Sequence, residues 1–278
     1  MIPPIASRFV AGEDADAALD VANERNGNGL PIILNLLGEH FDDPSDAAAD
    51  RDEYIRLVRE IDKRELDACI SIKPTQLGLD ISEKRFLTNL EAILDAADEV
   101  DQFVWIDMED HETTDVTIGA YERFVETYNG RVGVCLQANL KRTPDDLERI
   151  ANYPGKVRLV KGAYNEPADI AYRSKERVDE AYRDLIEQAF DQCDDGIAIG
   201  SHDDRMIEFA ADCSASTETP FEVQMLMGVR EDLQFALATE YEVYQYIPYG
   251  DRWMSYFYRR LMERKENLLF GLRAIIGR

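Results

Sequence analysis

Val157-Arg158-Leu159-Val160-Lys161-Gly162-Ala163-Tyr164 reads as a buried strand whose far end opens into a site. Val157, Leu159 and Val160 are strand formers, yet two cations stand among them. An unpaired buried charge is costly. Arg158 and Lys161 should therefore meet an anion: a carboxylate, a phosphate or an electron-rich cofactor. Gly162 and Ala163 let a group approach the backbone closely.

Working outward, similar short apolar runs recur at residues 32–36, 68–72, 103–106, 132–136, 157–160, 197–199, 221–225 and 242–247. Amphipathic stretches of helical period separate them. One begins near Ala47 and carries Tyr54, Ile55, Leu57, Val58 and Ile61. A second follows Ser82 as its N-cap. A third follows Thr143, read as a cap with Pro144 at the first helical position. Residues 175–192 form a fourth, and a final helix starts at about 251. Eight strand–helix alternations predict an α/β protein with a parallel sheet, closed as a (βα)8 TIM barrel. The structural rival is an open doubly wound sheet, but no GxGxxG turn favours it. The chain reads as one domain: an N-terminal helical extension over 1–29, with a helix at 15–24 and a turn at 26–29, a barrel over 30–250, and a final helix over 251–278.

The 278 residues include 56 acidic and 31 basic side chains, a net charge of −25. That balance argues against nucleic-acid binding. It reads as a soluble acidic surface, and more sharply as one suited to a salt-rich cytoplasm, where salt screens self-repulsion. No apolar run reaches the length of a membrane span, and no secretory signal is visible. Cys69, Cys135, Cys193 and Cys213 are scattered without a CxxC pair, which suits a reducing compartment.

In a barrel, chemistry sits at the C-terminal ends of the strands. Here those ends carry Glu39, Lys73, Asp107, Gln137, Arg158 with Lys161, Ser201 with His202, Gln224 and Tyr246. Asp107 is either a metal ligand or an ion-pair partner, and the nearby cations favour the pair. No His triad suggests a metal. Lys161 or Lys73 could instead serve as a Schiff-base nucleophile, which keeps a lyase or aldolase open beside a redox enzyme and a non-catalytic scaffold. On the last helix Tyr256, Arg259, Arg260 and Glu263 share a face. Two adjacent arginines suit a carboxylate clamp.

These pieces, in collinear order from about residue 9 to 273, resemble the proline dehydrogenase family. They are Phe9-Val10-Ala11-Gly12-Glu13, Leu36-Leu37-Gly38-Glu39, Ser71-Ile72-Lys73 with Gln76-Leu77-Gly78-Leu79, Ile106-Asp107-Met108-Glu109 and Leu136-Gln137-Ala138. They continue with the segment from Arg158 to Tyr164, Ser201-His202-Asp203, Gln224-Met225-Leu226-Met227-Gly228, Tyr246-Ile247-Pro248-Tyr249-Gly250 and Tyr258-Arg259-Arg260-Leu261. The resemblance implies a distorted barrel holding FAD, with the last helix over its mouth. It implies oxidation of L-proline to 1-pyrroline-5-carboxylate and reoxidation of the flavin by a membrane quinone. Arg259, Arg260 and Lys73 would bind the proline carboxylate, Tyr246 would pack on the ring, and Asp107 would organise the pocket. Glu39 would pair with Arg259 as a gate. Arg158 would face the flavin's reactive edge and Gln137 its pyrimidine side. Val160, Lys161, Gly162, Ala163 and Tyr164 would line the cofactor. Lys175, Ser201 and His202 would hold its ribityl, pyrophosphate and adenine parts, with Glu222 and Gln224 nearby. The resemblance further implies a cytoplasmic protein that meets the inner face of the membrane. Its product would pass to a separate pyrroline-5-carboxylate dehydrogenase, through transient contact.

Overall fold

The computed structural model describes residues 2–3, 6–254 and 256–257. Strands β1 (Ile32–Leu36), β2 (Ala68–Ile72), β3 (Val104–Ile106), β4 (Val132–Gln137), β5 (Lys156–Val160), β6 (Ile197–Gly200), β7 (Phe221–Leu226) and β8 (Glu242–Tyr249) pair in parallel in chain order. β8 closes on β1, with Tyr246 opposite Ile33, so the sheet is a barrel and the open-sheet alternative falls. Helix α1 (Ala15–Gly27) precedes β1. Helices α2 (Pro44–Lys63), α3 (Glu83–Asp98), α4 (Thr114–Val125), α5 (Thr143–Ile150), α6 (Lys175–Gln192), α7 (Asp204–Thr217) and α8 (Glu231–Leu237) follow β1 to β7 in turn.

Local chemistry sets the helix starts. Asp43 accepts a hydrogen bond from the Ser45 N–H, and Pro44 takes the first turn, so α2 begins three residues before the expected Ala47. Ser82 caps α3 by accepting from the Arg85 N–H, as its position implied. Thr143 does not cap α5. Its hydroxyl donates to the Gln137 carbonyl at 2.5 Å, and α5 starts without a side-chain cap. Strand β8 runs two residues past its expected end, through Pro248, whose carbonyl accepts from the Ala11 N–H of the N-terminal extension. Helix α1 runs three residues beyond its expected end and takes up Asn26 and Gly27 of the expected turn. Trp253, Tyr256 and Phe257, at the start of the final helical segment, pack with Phe9, Val10 and Leu37. Arg259, Arg260 and Glu263 lie outside the described residues.

Strand periodicity of two sorts the barrel into two unlike surfaces. Outward positions such as Ile32, Leu34, Ile70, Ile72, Val104, Ile106, Val134 and Leu159 join the helices in one apolar core. Inward positions hold Ile33, Cys69, Trp105 and Ala198, with Asn35, Ser71, Arg158, Glu222 and Gln224, all buried. Barrel interiors are usually filled by branched aliphatic residues. This one is filled largely by hydrogen-bonding and charged groups, so its packing also fixes its electrostatics. The Ser82 cap sits after the loop that carries Lys73. Ser82→Ala should lower the unfolding free energy by about 1 kcal/mol in urea titration; an unchanged value would show that the cap contributes nothing.

Candidate active site

Arg158 occupies the centre. Its guanidinium donates to the Asp107 carboxylate, to Gln224 Oε1 at 3.0 Å and to Ser71 Oγ at 3.2 Å. It lies 4.8 Å from the Trp105 ring centroid and 5.7 Å from that of Tyr246. Asp107 is saturated in turn: Oδ1 also accepts from Ser71 Oγ at 2.8 Å and Oδ2 from the Tyr246 hydroxyl at 2.7 Å. Burial works against the Arg158 charge, but Asp107 outweighs it and the pKa rises. Burial, then the Asp107 charge, hold the Tyr246 phenol far above its ordinary value. Five strands supply these groups, so the cluster ties the barrel together across its axis. Asp107 is thus an ion-pair partner. Among the described residues no group of three or more His, Cys, Asp or Glu side chains is arranged to hold a metal.

Lys73 stands at the end of β2, 7% exposed, and donates to Asn35 Oδ1 at 3.0 Å. Glu39 is 4.0 Å from the same ammonium. The Glu39–Arg259 gate falls outside the described residues; within them the Glu39 carboxylate pairs with Lys73. The loop bearing Lys73 is anchored from beneath. Glu109, fully buried, accepts from the Thr75 N–H at 2.8 Å and the Thr75 hydroxyl at 2.6 Å. Thr75 Oγ1 accepts from the His40 N–H at 2.9 Å, which joins the Lys73 loop to the Glu39 loop. Burial raises the Glu109 pKa to about 7, against the Thr75 hydrogen bonds and the Lys73 charge. Gln76 completes the support, donating to the Leu36 carbonyl at 3.0 Å and to Asp50 at 2.7 Å.

On the other side, Gln137 Nε2 donates to the Glu109 carbonyl at 2.7 Å, and Gln137 Oε1 accepts from the Ala163 N–H at 3.4 Å. Lys161 meets Asp179 at 2.5 Å and Asp203 at 3.0 Å. Lys175 pairs with the same Asp179. Burial would raise both acids, but the ammonium and guanidinium partners prevail and both are lowered. Gly162 has φ +104°, and a Cβ there would sit 2.1 Å from Asn139 Oδ1. The group that approaches this backbone is thus the Asn139 amide. Val160 and Tyr164 flank the same turn. Ser201 Oγ accepts from the Asp203 N–H at 3.1 Å, and His202 Nε2 from the Leu226 N–H at 3.3 Å.

The sequence reading therefore placed Lys73, Asp107, Arg158, Gln137, Lys161, Ser201, His202, Gln224 and Tyr246 at one end of the barrel, and the structure brings them there. Arg158 and Lys161 meet carboxylates of the chain, one of the anions expected for them. One expectation changes. Glu222 does not face the mouth: it lies two residues before Gln224 on β7, paired with Lys156 at the start of β5, towards the opposite end. Sequence reasoning missed Asn35, Ser71, Glu109, Asp179 and Asp203. Ser71 and Asn35 carried a signal, as polar residues in register with inward positions of otherwise apolar strands. Asp179 stands four residues after Lys175, the spacing of a helical ion pair.

The fold and this cluster define a (βα)8 barrel protein with a cation at the centre of its C-terminal mouth. A family model described as proline dehydrogenase matches residues 18–271. Proline dehydrogenase 1 of Bacillus subtilis (strain 168) is 35% identical, across 98% of this chain and 90% of that one. Proline dehydrogenase of Deinococcus radiodurans is 34% identical, again across 98% and 90%. The chain belongs to the proline dehydrogenase family. In fold it resembles proline utilization A (PutA) from Bdellovibrio bacteriovorus, with a TM-score of 0.84 and 23% identity over 93% of this chain. It spans 32% of that longer chain.

Asp50, on α2, gives a pH test of the loop support. Burial raises its pKa from 3.8 to about 6, against the Gln76 hydrogen bond. Between these values the folded protein holds more protons than the unfolded chain, so this group's contribution to stability falls as pH rises from about 4 to about 6. Asp50→Asn keeps an oxygen for Gln76 and removes the ionisation. In urea unfolding the variant should gain on the wild type across that window, then hold a constant margin. A margin equal at pH 4 and pH 7 would contradict the assignment.

Proposed function

We propose that this chain oxidises L-proline to 1-pyrroline-5-carboxylate with a bound FAD, as the first step of proline catabolism. The observation that carries the reading is the buried Arg158 cation, locked on Asp107, Ser71 and Gln224 beside the half-built carboxylate site at Lys73. Membership of the proline dehydrogenase family names the reaction that this arrangement serves.

The residues fit a dinucleotide. Asn139 Oδ1 is buried without a hydrogen-bond partner. It lines a cavity of about 240 Å3 with Lys161, Gly162, Tyr164, Tyr172 and Arg173. An orphaned buried acceptor calls for a donor, and neighbouring cations call for anionic oxygens. A ligand carrying amino and hydroxyl groups beside a pyrophosphate brings both. Val160, Lys161, Gly162, Ala163, Tyr164, Lys175, Ser201 and His202 would hold it, with Gln137 at its pyrimidine edge. When bound, FAD supplies the two-electron acceptor for the hydride leaving the proline ring. Arg158 places a fixed positive charge where negative charge develops, and a preorganised charge needs no rearrangement during the reaction. Lys73, joined by Arg259 and Arg260, binds the carboxylate and so fixes the ring's orientation. Asp107 holds Arg158 and, through the Tyr246 hydroxyl, sets the face of the Tyr246 ring against which the substrate would pack. Glu39, 4.0 Å from Lys73, would yield that cation to the substrate carboxylate and close over it with Arg259.

Electrons would pass on to a quinone at a membrane surface. Among the described residues no helix is long and apolar enough to cross a membrane. A PutA structure is described as bifunctional, and this chain covers 30% of it. The product would be taken up by a pyrroline-5-carboxylate dehydrogenase, through transient contact.

The test is optical. Purified protein should carry visible flavin absorption that L-proline bleaches without oxygen. A colourless protein whose Lys73 or Lys161 is trapped by borohydride with a carbonyl compound would replace this reading with a Schiff-base one. Lys73→Met should retain flavin and raise the KM for proline roughly tenfold or more, the cost of one charge-assisted hydrogen bond. An unchanged KM would remove Lys73 from the carboxylate site.

A further inference from the structure

Below Arg158 the barrel interior holds a second charged pair. Lys156 and Arg158 are alternate residues of β5, and both point inward. Glu222 and Gln224 are alternate inward residues of β7. Strand β6 lies between them, yet its inward positions are Ala198 and Gly200. A Cβ at Gly200 would stand 2.7 Å from Val160 Cγ1 and 3.6 Å from Arg158 Cγ. The small residues let β5 side chains reach across β6 to β7. Lys156 Nζ pairs with Glu222 Oε2, Gln224 Nε2 donates to Glu222 Oε1 at 2.6 Å, and Arg158 donates to Gln224 Oε1 at 3.0 Å.

The chemistry of the ends dictates the middle. An ionised carboxylate only accepts and a guanidinium only donates. Gln224, between the two, must turn its NH2 to Glu222 and its oxygen to Arg158. Glu222 offers one oxygen to Gln224 and the other to Lys156; an amide there has a single oxygen for the two donors, and its NH2 turned to Gln224 would oppose the orientation that Arg158 requires. Lys156 holds Glu222 by an ion pair, and its Nζ also lies 5.4 and 5.9 Å from the Phe103 and Tyr244 ring centroids. The Lys156 side chain is 34% exposed and the Glu222 side chain 4%, so the pair reaches water through Lys156 at the N-terminal end.

We propose that Glu222 is a positioning residue for the redox site: by fixing the orientation of the Gln224 amide it holds Arg158 at the flavin, from the far side of the barrel. The inference rests on the flavin reading given above for its effect on the reaction. A pair that merely plugs the N-terminal mouth would change stability and nothing else.

Glu222→Gln and Gln224→Met, singly and together, separate the two. In the flavin-loaded enzyme Glu222→Gln should shift the flavin midpoint potential to more negative values. It should lower kcat roughly threefold to tenfold with the KM for proline unchanged, because Lys73 is untouched. In the Gln224→Met background the same substitution should add nothing to either quantity. Unchanged potential and kcat in Glu222→Gln, or an equal effect in both backgrounds, would overturn the proposal. Unfolding free energies in urea need no flavin and carry the same comparison: non-additive costs at 222 and 224 support the relay, and additive costs refute it. Wild-type protein that takes up no flavin would sink the functional reading, while the urea cycle would still decide the relay.

Discussion

A guanidinium buried on the axis of an eight-stranded barrel must be matched on every side, because an unmatched buried charge is not tolerated at the stability of an ordinary domain. Arg158 meets this demand with Asp107 from β3, Ser71 from β2 and Gln224 from β7, while Tyr246 from β8 completes Asp107. Each partner lies at an inward position of its strand or, for Asp107, one residue past the end of β3, so the register of these strands is tied to the same cluster. A slip of one residue would turn the polar set into the apolar helical layer and the aliphatic set into the charged interior. The cluster is therefore both a packing device and the electrostatic centre of the site.

The same economy extends around the mouth. Lys161 and Lys175 share Asp179, and Lys161 also meets Asp203. Lys73 is held by Asn35 with Glu39 near. These cations are fixed in place before any ligand arrives, at the cost of carboxylates that partly cancel them. Such a site discriminates by position more than by net charge. That suits a chain of net charge −25, whose overall field opposes the approach of anionic ligands at long range.

Much of this was legible in the linear chain. The eight apolar runs located the strands to within two residues at either end, because the outward positions that face the helices are aliphatic in strand after strand, even where inward positions are polar. The cations at 158 and 161 advertised a site because charge in such a run has few explanations. What stayed hidden depends on distance in sequence. Asp107 was legible as an ion-pair partner, but that its cation is Arg158, with Ser71 and Gln224 beside it, depends on barrel closure, and nothing local marks Asp203 as the partner of Lys161. Glu222 was placed near the cofactor by the family resemblance alone, and strand alternation sets it a layer below Gln224, on Lys156. Thr143 looked like a cap, but the buried Gln137 carbonyl offered its hydroxyl a nearer partner.

The claim on which the rest depends is that Arg158 and Asp107 act as one unit in the barrel interior. A double-substitution cycle measures it directly: urea unfolding of Asp107→Leu, Arg158→Leu and the pair together. Each single change should cost about 3–5 kcal/mol by stranding the other charge, and the double variant should recover much of that loss. Costs that simply add would mean that the two side chains are held independently, and would contradict the account.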